Sequence, residues 1–269
     1  MSGSSAPVGV FDSGIGGLTV VRELERQLPH ERIIYFGDTA RVPYGPKSPE
    51  TVQRYSREIS DWLVGEGVKV IVVACNTATA HALPMLREYL TVPVIGVVEP
   101  GARAAMRATK SRVVGVIGTA GTIASGAYER AIHAIEPRAQ VIARACPLFV
   151  PLVEEGWTDR DATRLIAREY LEPLAEAQVD TIVLGCTHYP LLAPLLGELA
   201  RPGVRLIDSA AETAAETRRT LEERDLVAPH TKGSPAHRFV ASDDADHFLR
   251  VGQRFLGAAI DRVEKVTLG

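Results

Sequence analysis

Two segments of this 269-residue chain share one pattern: VIVVACNT at residues 70–77 and TIVLGCTH at residues 181–188. Each is a short apolar run that ends next to a cysteine and continues into small or polar residues. A short apolar run predicts a buried strand, and strands that alternate with amphipathic stretches are typical of parallel sheets. The two cysteines, Cys75 and Cys186, are 111 residues apart. The sequence therefore predicts an α/β fold in which one unit occurs twice.

Two further pairs of segments repeat at nearly the same spacing. Asp12 and Thr119 each follow an apolar run and are 107 residues apart, and the loop prolines Pro43 and Pro151 are 108 residues apart. A near-constant offset indicates two homologous lobes. We therefore predict two pseudo-symmetric, doubly wound α/β domains with the active site in the cleft between them. The expected first domain comprises residues 1–99 plus 209–269, because the last segment is too short for a core of its own, and the second comprises residues 100–208.

Eight apolar runs predict the strands of these domains. They are Val8–Asp12, Ile33–Gly37, Val70–Ala74, Val94–Val98, Val113–Gly118, Gln140–Ala145, Thr181–Gly185 and Arg205–Asp208. Ser48 followed by Pro49 predicts a helix start, and Asp159 is a candidate cap for a later helix. The C-terminal part predicts helices at 210–221 and near 243–256, separated by a Pro/Gly-rich loop at 228–235.

Composition restricts the function classes. The net charge is −3 and the 30 basic residues are scattered, which disfavours a nucleic-acid partner. No window approaches the apolar length of a membrane span and the N-terminus lacks a signal-peptide pattern, so we expect no membrane association and a cytoplasmic location. The three cysteines show no metal-ligand spacing, so neither zinc nor a disulfide is expected.

The placement of Cys75 and Cys186 favours chemistry over structure. A single free cysteine is more often a buried hydrophobic residue, and Cys146, which has no repeat partner, is given that role. Two cysteines at equivalent strand ends would face each other across the cleft. One thiolate could then remove an α-proton while the other thiol protonates the opposite face, which requires no cofactor. A helix is predicted to begin after each cysteine, and we expect the partial positive charge at its N-terminus to favour the thiolate over the thiol.

Polar residues beside these strand ends are candidate ligands of a substrate. Asn76, Thr77, Thr187 and His188 follow the cysteines, while Asp12 and Ser13 end the first strand. Tyr44, Gly45 and Glu154 lie in loops at the same predicted edge. Tyr44 and Gly45 could instead belong to an ordinary loop, and Glu154 could be a solvated surface residue. His188 could merely cap a helix. The glycines after Asp12 are similar to the G-x-G-x-x-G motif of dinucleotide-binding proteins, with Asp38 as the later acidic residue. Thr19 stands where the third glycine should be, so the motif is incomplete and nucleotide binding is disfavoured.

Five motifs resemble those of the glutamate racemases in the aspartate/glutamate racemase family. They are FDSGIGGLTV at 11–20, GDTARVPYG at 37–45, ACNTATA at 74–80, CPLFVPLVEEG at 146–156 and GCTHYPLL at 185–192. The resemblance implies a homodimeric enzyme that interconverts L- and D-glutamate without pyridoxal phosphate or metal and supplies D-glutamate for peptidoglycan. It also implies substrate binding by Asp12, Ser13, Tyr44, Gly45, Asn76, Thr77, Thr187 and His188.

The same resemblance assigns the proton of D-glutamate to Cys75 and that of L-glutamate to Cys186, with Asp12, Glu154 and His188 assisting. Three alternatives remain open at this point. The substrate could be aspartate, because one methylene is worth only about 1–3 kcal/mol of discrimination. A Cys-His hydrolase built on Cys186 and His188 would leave Cys75 dispensable. The chain could also be a binding protein that inhibits DNA gyrase, but no basic or repetitive segment of the sequence supports that role.

Overall fold

The computed structural model describes residues 3–230, 233, 235–256 and 260–268. Within these residues the strands are β1 Val8–Asp12, β2 Ile33–Gly37, β3 Val70–Val73, β4 Val94–Gly96, β5 Val113–Gly118, β6 Gln140–Ala145, β7 Thr181–Gly185, β8 Arg205–Ile207, β9 Arg238–Ala241 and β10 Glu264–Lys265. The α-helices are α1 Leu18–Gln27, α2 Pro49–Gly65, α3 Asn76–Tyr89, α4 Val98–Ala108, α5 Ala120–Ala124, α6 Ala127–Ile135, α7 Phe149–Glu154, α8 Asp161–Glu176, α9 Ala193–Leu199, α10 Ala210–Glu223 and α11 Ala245–Leu256. Short 3₁₀ helices span Thr39–Arg41 and Tyr189–Leu192.

Two parallel sheets organise the chain. The first has the strand order β10-β9-β2-β1-β3-β4 and the second has the order β6-β5-β7-β8. The segment β2-β1-β3-β4 therefore has the same order as the whole second sheet, which is the topology expected of a repeated unit. This confirms the predicted α/β class with parallel sheets. Strands β9 and β10 extend the first sheet, whereas the exact division of the chain into two domains stays a prediction.

Strands β1, β2, β3 and β7 have side chains buried on both faces, whereas those of β6 and β8 are exposed or half-buried. Val10 of β1 and Ile182 of β7 belong to one continuous cluster of buried apolar side chains, so the two sheets share a core. Separate clusters around Phe11 and Val116 cover other faces of the first and second sheet. Burial on both faces explains why the strands lack the apolar–polar alternation of a half-exposed sheet.

Most predicted boundaries agree with the structure, and the differences have local reasons. Ser48 caps α2 by accepting a hydrogen bond from the Thr51 N–H, with Pro49 as the first helical residue, as predicted. The strand predicted to reach Val98 ends at Gly96, and Val98 begins α4. Asp159 does not cap α8, because its carboxylate pairs with Arg164 instead. In the predicted loop at 228–235, residues 231, 232 and 234 lie outside the described residues.

None of the helices in the described ranges combines the length and the apolar character that a bilayer span requires.

Candidate active site

Cys75 lies between β3 and α3 and caps the helix. Its Sγ accepts a hydrogen bond from the Ala78 N–H at 3.4 Å and lies 3.7 Å from Ser13 Oγ. The side chain is buried, with 5% of its surface exposed. The predicted position of Cys75 at a helix N-terminus is therefore confirmed.

Cys186 follows β7, but no α-helix begins beside it. The next helical turn is the 3₁₀ helix that starts at Tyr189, so the prediction of a helix N-terminus at this cysteine is wrong. Proline explains the difference: an α-helix here would need the N–H of residue 190 to bond the Cys186 carbonyl, and Pro190 has no N–H. The Tyr189 N–H bonds that carbonyl instead, at 3.1 Å.

Cys75 is held as a thiol rather than a thiolate. Burial, followed by the charge of Asp12, raises its pKa to about 12, and this outweighs the opposing hydrogen bonds from the Ala78 N–H and Ser13. The N–H group of the helix N-terminus does lower this pKa, as expected, but burial and the charge of Asp12 outweigh its effect. An ionised Cys186 also raises the pKa of Cys75, so the two sulfurs are near enough to interact electrostatically.

Asp12 is a buried carboxylate at the end of β1. Its Oδ2 accepts a hydrogen bond from the Gly14 N–H at 3.1 Å, and its Oδ1 accepts one from the Thr187 hydroxyl at 3.4 Å. Burial raises the pKa of Asp12, whereas the charge of His188 and hydrogen bonds from Gly14, Gly17 and Thr187 lower it. A carboxyl with a raised pKa beside a thiol is suited to exchange a proton with it.

His188 lies between an acid and a thiol. Its Nε2 is 2.9 Å from Glu154 Oε1, and its Nδ1 is 3.9 Å from Cys186 Sγ. Burial lowers the pKa of His188, but the hydrogen bonds and charges of Cys186 and Glu154 outweigh burial and raise the pKa to about 10. His188 is therefore an imidazolium at neutral pH, placed to donate a proton towards Cys186.

The residues after Cys75 make contacts between the two sheets' helices. Asn76 Oδ1 accepts a hydrogen bond from the hydroxyl of Tyr128 in α6 at 2.7 Å. Thr77 Oγ1 is 2.8 Å from Thr119 Oγ1 and 3.2 Å from Thr122 Oγ1. Sequence reasoning did not place these three partners in the site. The repeat offset that pairs Thr119 with Asp12 was the available signal for Thr119, whereas Tyr128 carries no comparable local signal.

Tyr44 and Gly45 reach the cleft in different ways. The Tyr44 hydroxyl donates a hydrogen bond to buried Asp38, so the phenol is already engaged and the main chain is the part of Tyr44 left for a ligand. The Gly45 carbonyl accepts a hydrogen bond from the Gly121 N–H at 2.8 Å, which joins the loop after β2 to α5. Asp38 is fully buried and also accepts hydrogen bonds from Arg41 and Ser242, so it does not serve as the exposed acidic residue of a nucleotide site.

A cavity of about 360 Å³ lies between the loops of the two sheets. Its lining comprises Ser13, Gly14, Val42, Pro43, Gly45, Pro46, Thr119, Ala120, Pro147, Val150, Pro151, Glu154 and His188. The repeat-related prolines Pro43 and Pro151 thus line the same cavity. Ser13, which contacts Cys75, and His188, which contacts Cys186, line it as well. Neither Cys75 nor Cys186 is among these lining residues, so the cavity is connected to each cysteine through one neighbour.

Cys146 is separate from this acid–base system. It is fully buried in the core that both sheets share, and its Sγ lies 3.6 Å from the Arg144 carbonyl oxygen. The structure thus places it where a packing role was predicted. Within the described residues, no group of three or more His, Cys, Asp or Glu side chains is arranged to hold a metal ion.

Two parallel sheets that share the order of four strands and place a buried thiol, a buried carboxyl group and a histidine of raised pKa at their strand ends define an α/β enzyme equipped for proton transfer. The family model of the Asp/Glu/hydantoin racemases matches residues 8–217. The chain therefore belongs to the Asp/Glu/hydantoin racemase family and is an isomerase.

Several proteins similar to this chain are glutamate racemases. The glutamate racemase of Geobacter metallireducens is 56% identical over 261 residues, which cover 97% of this chain and 96% of that protein. A glutamate racemase isoform from Bacillus anthracis has a similar structure, with a TM-score of 0.94, 43% identity and 98% of both chains covered. The structure of the Francisella tularensis glutamate racemase in complex with D-glutamate gives a TM-score of 0.92 at 38% identity, also with 98% of both chains covered.

Proposed function

We propose that this enzyme interconverts L- and D-glutamate without a cofactor, with Cys75 and Cys186 as the two acid–base groups. The observation that carries the proposal is the equivalence of the two cysteines. Each follows the third strand of the shared order, β3 or β7, and each contacts a residue that lines the cavity between the sheets. The substrate class rests on the relatives, which are glutamate racemases at up to 56% identity.

In the proposed reaction of D-glutamate, the Cys75 thiolate removes the α-proton and becomes a thiol. The resulting carbanion takes a proton from the Cys186 thiol on its other face, which leaves a Cys186 thiolate and L-glutamate. The reaction of L-glutamate exchanges the two roles, because each step is reversible. Substrate binding is assigned to Asp12, Ser13, Tyr44, Gly45, Asn76, Thr77, Thr187 and His188, as the resemblance implies.

Residues beside the two sulfurs can restore the protonation state of each cysteine after a turnover. The His188 imidazolium, paired with Glu154, can return a proton to a Cys186 thiolate. Asp12 can accept the proton that Cys75 must lose before the next D-glutamate, since burial raises its pKa towards that of a useful base. The carbanion itself needs preorganised donors in a water-poor cavity, and the hydroxyl and N–H groups around the cysteines supply them.

The rival functions are less well supported. A Cys-His hydrolase built on Cys186 and His188 would leave Cys75 dispensable, whereas Cys75 occupies the equivalent strand end and contacts Ser13 of the same cavity. An aspartate racemase would use the same acid–base groups, and the identity to glutamate racemases argues against it. The proposal includes a cytoplasmic homodimer that supplies D-glutamate for peptidoglycan, on the strength of the family resemblance alone.

The test is circular dichroism of purified enzyme with L- or D-glutamate and no added cofactor. The optical signal of either enantiomer is expected to decay to zero with wild type and with Cys146→Ala, and to persist with Cys75→Ser or Cys186→Ser. Decay with aspartate but not glutamate would transfer the proposal to another substrate. Full activity of Cys75→Ser would overturn the two-cysteine mechanism. Light scattering of the same samples tests the dimer.

A further inference from the structure

Tyr128 has a buried hydroxyl that the proposed reaction does not use. The residue lies in α6, is 3% exposed, and donates its hydrogen bond to Asn76 Oδ1 at 2.7 Å. Asn76 is the first residue of α3 and adjoins Cys75. The bond therefore connects a helix on the second sheet with the residue next to one of the two cysteines.

The position of the Tyr128 ring is tightly defined by two glycines. A Cβ atom added at Gly101 would lie 3.2 Å from the Tyr128 hydroxyl, and one added at Gly185 would lie 3.1 Å from the ring. Both distances are tighter than ordinary contacts between a Cβ atom and its neighbours. The slot thus holds the phenol in one orientation, with little freedom to follow a moving partner.

The direction of this hydrogen bond determines how the Asn76 amide is oriented. The Tyr128 hydroxyl donates its proton to Asn76 Oδ1 at 2.7 Å. A phenol that donates its proton must be met by the carbonyl oxygen of the amide, because the amide nitrogen of asparagine only donates. Tyr128 therefore occupies Oδ1 and leaves the two N–H donors of Asn76 for a ligand.

From this geometry we infer that Tyr128 is a positioning residue, which fixes the Asn76 amide so that its N–H group faces a carboxylate of the substrate. The inference rests on the proposed function and makes it more specific, because it adds a residue of α6 that orients one of the assigned substrate ligands. Tyr128 does not touch the substrate. Without its hydroxyl the amide can rotate, and the alternative orientation presents an oxygen to an anionic group.

The inference is tested by steady-state kinetics of Tyr128→Phe, Asn76→Ala and the double variant. Tyr128→Phe is expected to raise the KM for both enantiomers about 10-fold and to change kcat far less, because substrate binding is weakened before and during reaction alike. In the Asn76→Ala background, Tyr128→Phe should change KM no further. A packing role would instead give the same effect in both backgrounds.

Three controls make the outcome decisive. Wild type is assayed first, because a protein that does not racemise glutamate removes the proposed function and not only this inference. Tyr89→Phe, at an exposed position, controls for the loss of a phenol elsewhere and should keep the wild-type KM. If Tyr128→Phe does not fold, Asn76→Asp takes its place: it keeps an acceptor for the Tyr128 hydroxyl but has no N–H donor, so it should raise KM as much as Asn76→Ala, and an unchanged KM would overturn the inference. An unchanged KM in folded Tyr128→Phe, or equal KM effects in both backgrounds, overturns the inference.

Discussion

His188 Nε2 lies 2.9 Å from Glu154 Oε1, in a place where its other ring nitrogen faces Cys186. This arrangement makes His188 the proton donor of the Cys186 side. We expect His188→Asn to lower kcat by about 10²-fold or more, which is the usual contribution of a positioned acid or base. The measurement is racemisation of both enantiomers by circular dichroism. His247→Asn, at an exposed position in α11, should keep wild-type kinetics.

The raised pKa of His188 also predicts a pH-dependent stability. The pKa is about 10 in the folded chain and about 6.5 in an unfolded one, so folding favours the protonated form. The stabilisation is fully present below about pH 6.5 and is lost as the pH rises through about 10. Urea unfolding across this window should show the free-energy difference between wild type and His188→Asn shrinking as the pH rises. A pH-independent difference would contradict the assignment.

Asp12 and Cys75 offer a test in which reactivity and catalysis change in opposite directions. The charge of Asp12 contributes to the raised pKa of Cys75, so Asp12→Asn should lower that pKa and increase alkylation of Cys75 by iodoacetamide. The same variant should racemise glutamate more slowly, because the acceptor for the thiol proton is lost. Peptide mass spectrometry measures the labelling, with Cys146 as the internal reference. Slower labelling of Cys75 would contradict the inference that the Asp12 charge raises the pKa of that thiol.

Gly16 permits the close approach of the turn after β1 to the residues after Cys186. A Cβ at this position would overlap the Thr187 hydroxyl and lie 2.5 Å from His188 Nδ1. We therefore expect Gly16→Ala to displace His188 and remove most of the racemase activity, measured at a temperature where the variant is folded. Gly65→Ala is the matched control, because nothing lies within 4 Å of its added methyl group. Wild-type activity of Gly16→Ala would show that the two segments separate without loss.

The sequence predicted the elements whose signal is local. Apolar runs identified β1, β2, β5 and β7 with their observed bounds, because a strand buried on both faces is largely apolar. The bounds of β6 were also predicted, although its side chains are exposed or half-buried. Strand β9, by contrast, begins at Arg238 and is a strand because it pairs with β2 over Ile34–Gly37. Such a partner, about 200 residues away, leaves no periodicity to recognise.

The candidate site divides in the same way. The sequence predicted that Cys75 and Cys186 belong to the site, because the repeat places them at equivalent strand ends. The sequence did not predict the protonation state of Cys75, because it indicates a helix N-terminus but not the burial that raises the pKa of this cysteine to about 12. Tyr128 escaped notice because its contact with Asn76 joins two helices that are far apart in sequence.

The buried ion pair between Lys69 and Glu31 gives a prediction about stability rather than chemistry. Lys69 Nζ lies 2.6 Å from Glu31 Oε2 and also donates to the main-chain oxygens of Ser4 and Leu226, which ties the N-terminal segment and the segment after α10 to the start of β3. Lys69→Met leaves the Glu31 carboxylate buried without its cation. We expect the free energy of unfolding to fall by about 3–5 kcal/mol, the usual effect of breaking a buried pair from one side.

The control for this pair is the ion pair between Lys265 and Asp243, which has the same 2.6 Å separation but side chains that are 56% and 55% exposed. Lys265→Met should lower the free energy of unfolding by at most about 1 kcal/mol, because water already solvates both charges. Urea denaturation at constant pH and salt measures both variants, and racemase activity of the folded proteins should stay unchanged in each. Equal losses of stability in the two variants would mean that burial does not determine the strength of the Lys69–Glu31 pair.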